Sequence, residues 1–144
     1  MFTVVSREVF MPSPGAGAGI HAQTYYLARG GQAMMSLHTV EIRSDTLEVA
    51  YRRYSDDHGR TWSAAEEWAM RFDDPRGTGR RHPRGVYVDP ATGRQVCFWT
   101  EGVLPGDNPL EGMRQWVMYH SIAREGERVP YAQGQIIHEG EGYD

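Results

Sequence analysis

The stretch 76–84 places Arg76, Arg80, Arg81 and Arg84 around His82. Guanidinium groups this close in sequence suit planar, two-pronged recognition of a carboxylate. Tyr87 and Trp99 follow shortly after, so the chemistry suggested is capture of an acidic glycan, the arginines taking the charge and an aromatic face taking the sugar ring. The competing reading is a solvated polar loop, since charge runs are usually exposed. All 15 basic residues are arginine, which excludes Schiff-base chemistry and a P-loop lysine within this segment. A codon preference for arginine accounts for that bias equally well, and the single asparagine points the same way. The histidines at 21, 38, 58, 82, 120 and 138 show no metal-ligand spacing, so neither a metal nor another cofactor is expected. Cys97 is the sole cysteine and lies in the apolar run Val96-Cys97-Phe98-Trp99, where it reads as a small buried hydrophobe and not as a nucleophile.

A second pattern is local. In Ser55-Asp56-Asp57-His58-Gly59-Arg60-Thr61-Trp62, Asp57 is spaced to accept backbone N–H bonds, Gly59 to supply a positive φ, and Thr61 to return a hydroxyl bond to the turn backbone. Trp62 then offers a large apolar surface that would pin the turn as the chain re-enters a strand. The preceding Leu47, Val49 and Tyr51 alternate with polar residues, as in a half-buried strand. Structural turn chemistry explains Asp57 better than catalysis, because no acid-base partner stands beside it in sequence.

This octapeptide fits Ser-x-Asp-x-Gly-x-Thr-Trp at every specified position and resembles the Asp box of the sialidase (neuraminidase) superfamily, also called the BNR repeat. The resemblance implies an all-β chain built as a partial β-propeller, with the box joining the last two strands of a four-stranded antiparallel blade, away from the substrate face. It also implies exo-glycosidase activity on terminal sialic acid or a related sugar, using three clamp arginines, a tyrosine–glutamate nucleophile and an acid-base aspartate. The family's Arg-Ile-Pro motif is absent, since the corresponding stretch reads Gln23-Thr24-Tyr25-Tyr26-Leu27-Ala28. The family also carries an arginine and then an acid-base aspartate ahead of the strand leading to the first box. Arg43 and Asp45 occupy that region and are the catalytic candidates, at a shorter spacing than the family's. The alternative is an ordinary hairpin turn at Ser44-Asp45.

The elements that must position these residues follow from punctuation. Strands are expected at 33–42, 47–54, 66–70, 85–88, 95–101 and 115–121, with an opening strand near 3–10. Residues 12–19 read as a flexible loop; they lack the third glycine of a dinucleotide fingerprint. Residues 73–84 and 104–112 read as long loops of the kind that carry binding residues. Asp89-Pro90-Ala91-Thr92-Gly93-Arg94 reads as a hairpin turn with Gly93 left-handed. One domain, 1–144, is expected, with the box-bearing blade at about 20–72 and a second at about 84–138, whose counterpart turn at 121–129 has lost the aspartate and the Thr-Trp pair.

A blade takes about 40–50 residues, so 144 residues supply two or three of the six that a sialidase propeller needs. The chain is therefore expected to be an amino-terminal portion, inactive alone, that joins further blades or self-associates through open strand edges. The second functional class is a non-catalytic Asp-box propeller that binds glycans or proteins. A formal charge of -4 argues against a nucleic-acid surface, and no apolar stretch is long enough to span a membrane. Residues 1–8 lack a signal-peptide pattern, so cytoplasmic residence is the default, with export open if the start is truncated.

Overall fold

The computed structural model describes residues 3–4, 7–43, 46–108 and 116–136. These form nine β-strands and no helix: β1 (Gly19–Tyr26), β2 (Met34–Arg43), β3 (Thr46–Ser55), β4 (Glu66–Ala69), β5 (Arg71–Asp74), β6 (Gly77–Val88), β7 (Gln95–Leu104), β8 (Trp116–Ala123) and β9 (Ala132–Gln135). They make two sheets, β1-β2-β3-β4 and β5-β6-β7-β8-β9, in which every strand pairs antiparallel with its sequence neighbour. Both are therefore meanders, which need only short connections.

The core follows from the period of two along β2. Met35, opposite Tyr54, packs with Leu27, while Leu37 packs with Ala50 and Met70. Burying a side chain such as Leu37 is worth about 2 kcal/mol. The alternate residues of β2 are buried too, because the segment before β1 covers them. Phe10 meets His38 edge-on at 5.9 Å and Trp62 at 5.2 Å, while Tyr51 stacks on His38 at 5.8 Å. Arg53 fastens this cover by donating to the Phe10 and Ser63 carbonyls at 3.2 and 2.9 Å.

All six of the main expected strands form, and the all-β class holds. Three further strands appear, and one expected strand does not: the described residues among 3–10 carry no strand. The stretch 73–84, expected as one polar loop, is instead the end of β5, a tight turn at 75–76 and the first part of β6. Pro83 is tolerated in β6 because the ladder slips there, leaving Arg84 as the extra residue between Pro83 and Gly85. Opposite Gly79, Phe72 lies where any Cβ would come within 2.2 Å of its ring, so that cross-strand pair requires glycine. The hairpin at 89–94 forms as expected, with Gly93 at φ 73° and its N–H bonded to the Asp89 carbonyl at 2.8 Å.

Candidate functional site

The octapeptide connects β3 to β4 and satisfies its own polar groups. The Thr61 N–H and hydroxyl donate to the two Asp57 oxygens at 2.8 and 2.7 Å, and the Ser55 hydroxyl donates to Asp57 at 2.7 Å while accepting the Gly59 N–H at 2.8 Å. The Thr61 hydroxyl thus goes to the Asp57 carboxylate and not to backbone. These bonds, the Thr61 N–H foremost, hold the Asp57 carboxyl at about 2. Gly59 has the expected positive φ of 77°, and His58 shares it at 59°. Trp62 is half-buried: its indole N–H donates to the Gly59 carbonyl at 2.9 Å, and its ring rests on Phe10. Both carboxylate oxygens of Asp57 are engaged within the turn.

The two sheets meet along a seam whose first-sheet side is the Leu37 face. Two openings flank it. A cleft of about 490 Å³ lies on the β1 side, with Gln23, Thr39, Glu41, Arg84 and Trp116 in its wall, and a groove of about 540 Å³ lies on the β3–β4 side. The position of β6 at the seam decides where the four arginines expected to bind substrate go. Alternation sends Arg80, His82 and Arg84 to the cleft and Arg81 to the groove, so they do not form one surface.

Each arginine then has its own circumstances. Arg76, in the β5–β6 turn, is held by Asp74 at 2.9 and 3.0 Å, and that pairing keeps the Asp74 carboxyl at about 2. Arg80 is only 1% exposed and is neutralised by Asp107 at 2.7 Å and Glu48 at 3.3 Å, with a further bond to the Leu47 carbonyl. Arg81 bonds Glu101 at 2.6 Å. Arg84 is exposed and donates from Nε to the Thr100 hydroxyl at 3.2 Å, and it makes no ion pair with any described residue. Its terminal nitrogens are the ones left for an anion.

Arg43, the catalytic candidate, ends β2 and bonds Glu48 at 3.1 Å and Asp107 at 3.2 Å. Asp45 lies outside the described residues. Asp107, in the loop after β7 at φ 52°, is the residue that sequence reasoning missed. Burial would raise its carboxyl, but Arg80 and then Arg43 outweigh that and hold it below the ordinary range. No motif marks it; the only signal was its place in a long loop.

His21 and Glu41 approach to 3.5 Å at the cleft, and Trp116 meets His82 edge-on at 4.9 Å. Glu41 is the only carboxylate among the described residues of the cleft wall. Cys97 lies in the groove, where burial raises its thiol and makes it a poor nucleophile. Among the described residues no three of His, Cys, Asp and Glu gather as a metal site would require. No family model, curated protein or solved structure matches the chain.

Proposed function

We infer that the two sheets are blades of a sialidase-type β-propeller and that the seam cleft binds an acidic glycan. The observation carrying the architecture is the placement of the octapeptide turn between the third and fourth strands of a meander, followed by a second meander. The octapeptide's resemblance to the Asp box supports the same reading. Arg84 is the anion-recognising residue, since its terminal nitrogens are uncommitted within a polar cleft that also offers the Trp116 ring, Gln23 and Thr39.

Binding is favoured over hydrolysis by this chain. Retaining glycosidases place nucleophile and acid-base groups within about 5.5 Å of each other. Among the described residues Glu41 has no second carboxylate with it in the cleft wall, and Arg43 is committed to Glu48 and Asp107. In the sialidase-like enzyme reading, the remaining catalytic groups come from blades beyond these two.

The test is titration of the 144-residue chain with methyl α-sialoside and with methyl galactoside, followed by NMR, beside a fluorogenic sialoside assay. The expected result is saturable shifts at Arg84 and Trp116 with the acidic sugar, loss of at least about tenfold in affinity in Arg84→Ala, and no turnover. Equal binding of the neutral sugar, or an unaffected Arg84→Ala, would remove the cleft as an acidic-glycan site. Turnover by the chain that disappears in Asp45→Asn would restore the catalytic reading.

A further inference from the structure

The groove on the other side of the seam has a different construction. Along β7 the alternate residues Gln95, Cys97, Trp99 and Glu101 all face it, and β8 sets Tyr119 directly opposite Trp99, their rings stacked at 5.7 Å and 14°. Trp68, from β4 of the first sheet, meets Trp99 edge-on at 6.1 Å, so the wall carries an aromatic cluster drawn from both sheets. A plain packing seam would close over such side chains; here an opening of about 540 Å³ remains.

Two polar groups in this wall have unmet demands. Gln95 is only 7% exposed, yet its amide nitrogen is buried with no hydrogen-bond partner among the described residues. A buried donor left unmade costs about 1–3 kcal/mol, and folded proteins seldom keep one without a purpose. Arg52 lies over the Trp68 ring at 3.9 Å and makes no ion pair with any described residue, whereas the other groove arginines, Arg81 and Arg128, are paired with Glu101 and Asp56. The groove therefore presents an amide donor lacking an acceptor, a cation lacking an anion and flat apolar faces between them.

We propose that this groove is a second binding site, separate from the cleft and independent of the propeller reading, for a carboxylate-bearing pyranose. The sugar's C–H face lies against the Trp99–Tyr119 pair, its carboxylate meets Arg52 over Trp68, and a hydroxyl or ring oxygen accepts from the Gln95 amide. Neutral sugars satisfy the aromatic faces and Gln95 but leave Arg52 unpaired, so charge sets the preference. Glu101 is held by Arg81 and by the Trp99 indole N–H, which both donate to its Oε1 at 2.6 and 2.9 Å.

The experiment is a titration of the chain with sodium glucuronate and, separately, glucose. It follows the Gln95 side-chain amide and the Trp68 and Trp99 indole N–H signals by NMR. Glucuronate is expected to shift all three, glucose to bind at least about tenfold more weakly, and Arg52→Gln to abolish that difference. Gln95→Leu removes the unpaired donor, so it is expected to fold with an unchanged or higher melting temperature while losing affinity. Arg84→Ala, which disables the cleft, should leave the groove titration unaltered. Absence of shifts at Gln95 and both indoles, or undiminished glucuronate affinity in Arg52→Gln, overturns the proposal.

Discussion

The first sheet holds most of the buried apolar core, and the second leans on it. Of the nine buried apolar side chains among the described residues, only Leu104 and Ala123 come from the second sheet. The contrast is sharpest in the two connections that occupy the same place in each meander. The Ser63 N–H returns to the Tyr54 carbonyl at 2.8 Å, and the Tyr131 N–H returns to the Ile122 carbonyl at 2.9 Å, so both connections close over the same span. That register sets Glu125 where Asp57 stands. Asp57 turns inward and binds its own turn, while Glu125 reaches across the seam to Arg29, accepting from its backbone N–H at 2.9 Å and its guanidinium at 2.9 and 3.1 Å. Arg128 of the same connection likewise crosses to Asp56 at 2.9 Å. Val129 and Pro130 stand where Thr61 and Trp62 do, so the second connection lacks the hydroxyl donor that caps Asp57, and its carboxylate serves as an inter-sheet tie. The physical lesson is that a turn released from capping itself can spend its charges on assembly.

At the opposite end of the seam, Asp107 of the second sheet draws Arg43 and Arg80 together. Breaking this tie should have the largest effect. Asp107→Ala leaves the buried Arg80 with only Glu48 and the Leu47 carbonyl, and an uncompensated buried charge is costly. Because Asp107 and Glu48 are each a quarter exposed, water softens that penalty. The expected loss is about 2–4 kcal/mol, read by urea unfolding. If Asp107→Ala unfolds at the wild-type midpoint, the second sheet does not depend on this tie.

Asp57→Ala tests the self-contained turn. Losing the bonds to Thr61 and Ser55 should lower the melting temperature by several degrees, leaving ligand affinity of the folded chain unchanged. The acid limb gives a second readout. A carboxyl held at about 2 when folded contributes stability that is complete above its ordinary 3.8 and drains away as pH falls through 2, so Asp57→Asn should flatten the loss over that window. Affinity lost without any fall in melting temperature would make Asp57 a ligand-binding group instead.

Glu125→Ala severs the exported tie and should cost about half the Asp57→Ala fall or less. Its pair with Arg29 is partly exposed and screened by salt. Its effect should shrink in about 1 M sodium chloride, whereas that of Asp57→Ala, carried largely by bonds to neutral donors, should persist. An equal salt response from both variants would erase the distinction between the two connections.

What was legible in the sequence divides along the same line. The octapeptide turn could be read because its partners are neighbours: Asp57, Gly59 and Thr61 meet within one turn. The central strands showed alternation because one face is apolar. β1 and β9 carry no clear strand pattern, being edge strands with mostly exposed, polar or mixed sequence, and the first part of β6, residues 77–84, carries none because the side chain it buries most deeply is Arg80. No hydrophobic pattern reports a buried arginine whose counter-charges come from Glu48, 32 residues before it, and Asp107, 27 after. As a loop, 73–84 would gather the four arginines on one surface; strand geometry separates them, and of the four Arg84 alone makes no ion pair with a described residue.

The smallest expected effect concerns His38, which marks how well the first sheet seals itself. His38 is fully buried between Phe10 and Tyr51, its Nε2 has no partner among the described residues, and Nδ1 lies 3.4 Å from the Ser36 hydroxyl. Burial first, and then the Arg53 charge, push its ionisation below the ordinary 6.5. The unfolded chain therefore binds a proton in a range where the folded one does not. Its contribution is complete above about 6.5 and is lost as pH falls through that value toward the lowered folded one. Stability measured by urea unfolding between pH 7 and 5 should fall in the wild type and fall less steeply in His38→Phe, an aromatic that keeps contact with Phe10 and Tyr51 without a titrating nitrogen. An unchanged slope in His38→Phe would mean that His38 takes up its proton in place, and that the cover provided by residues 7–11 opens readily to water.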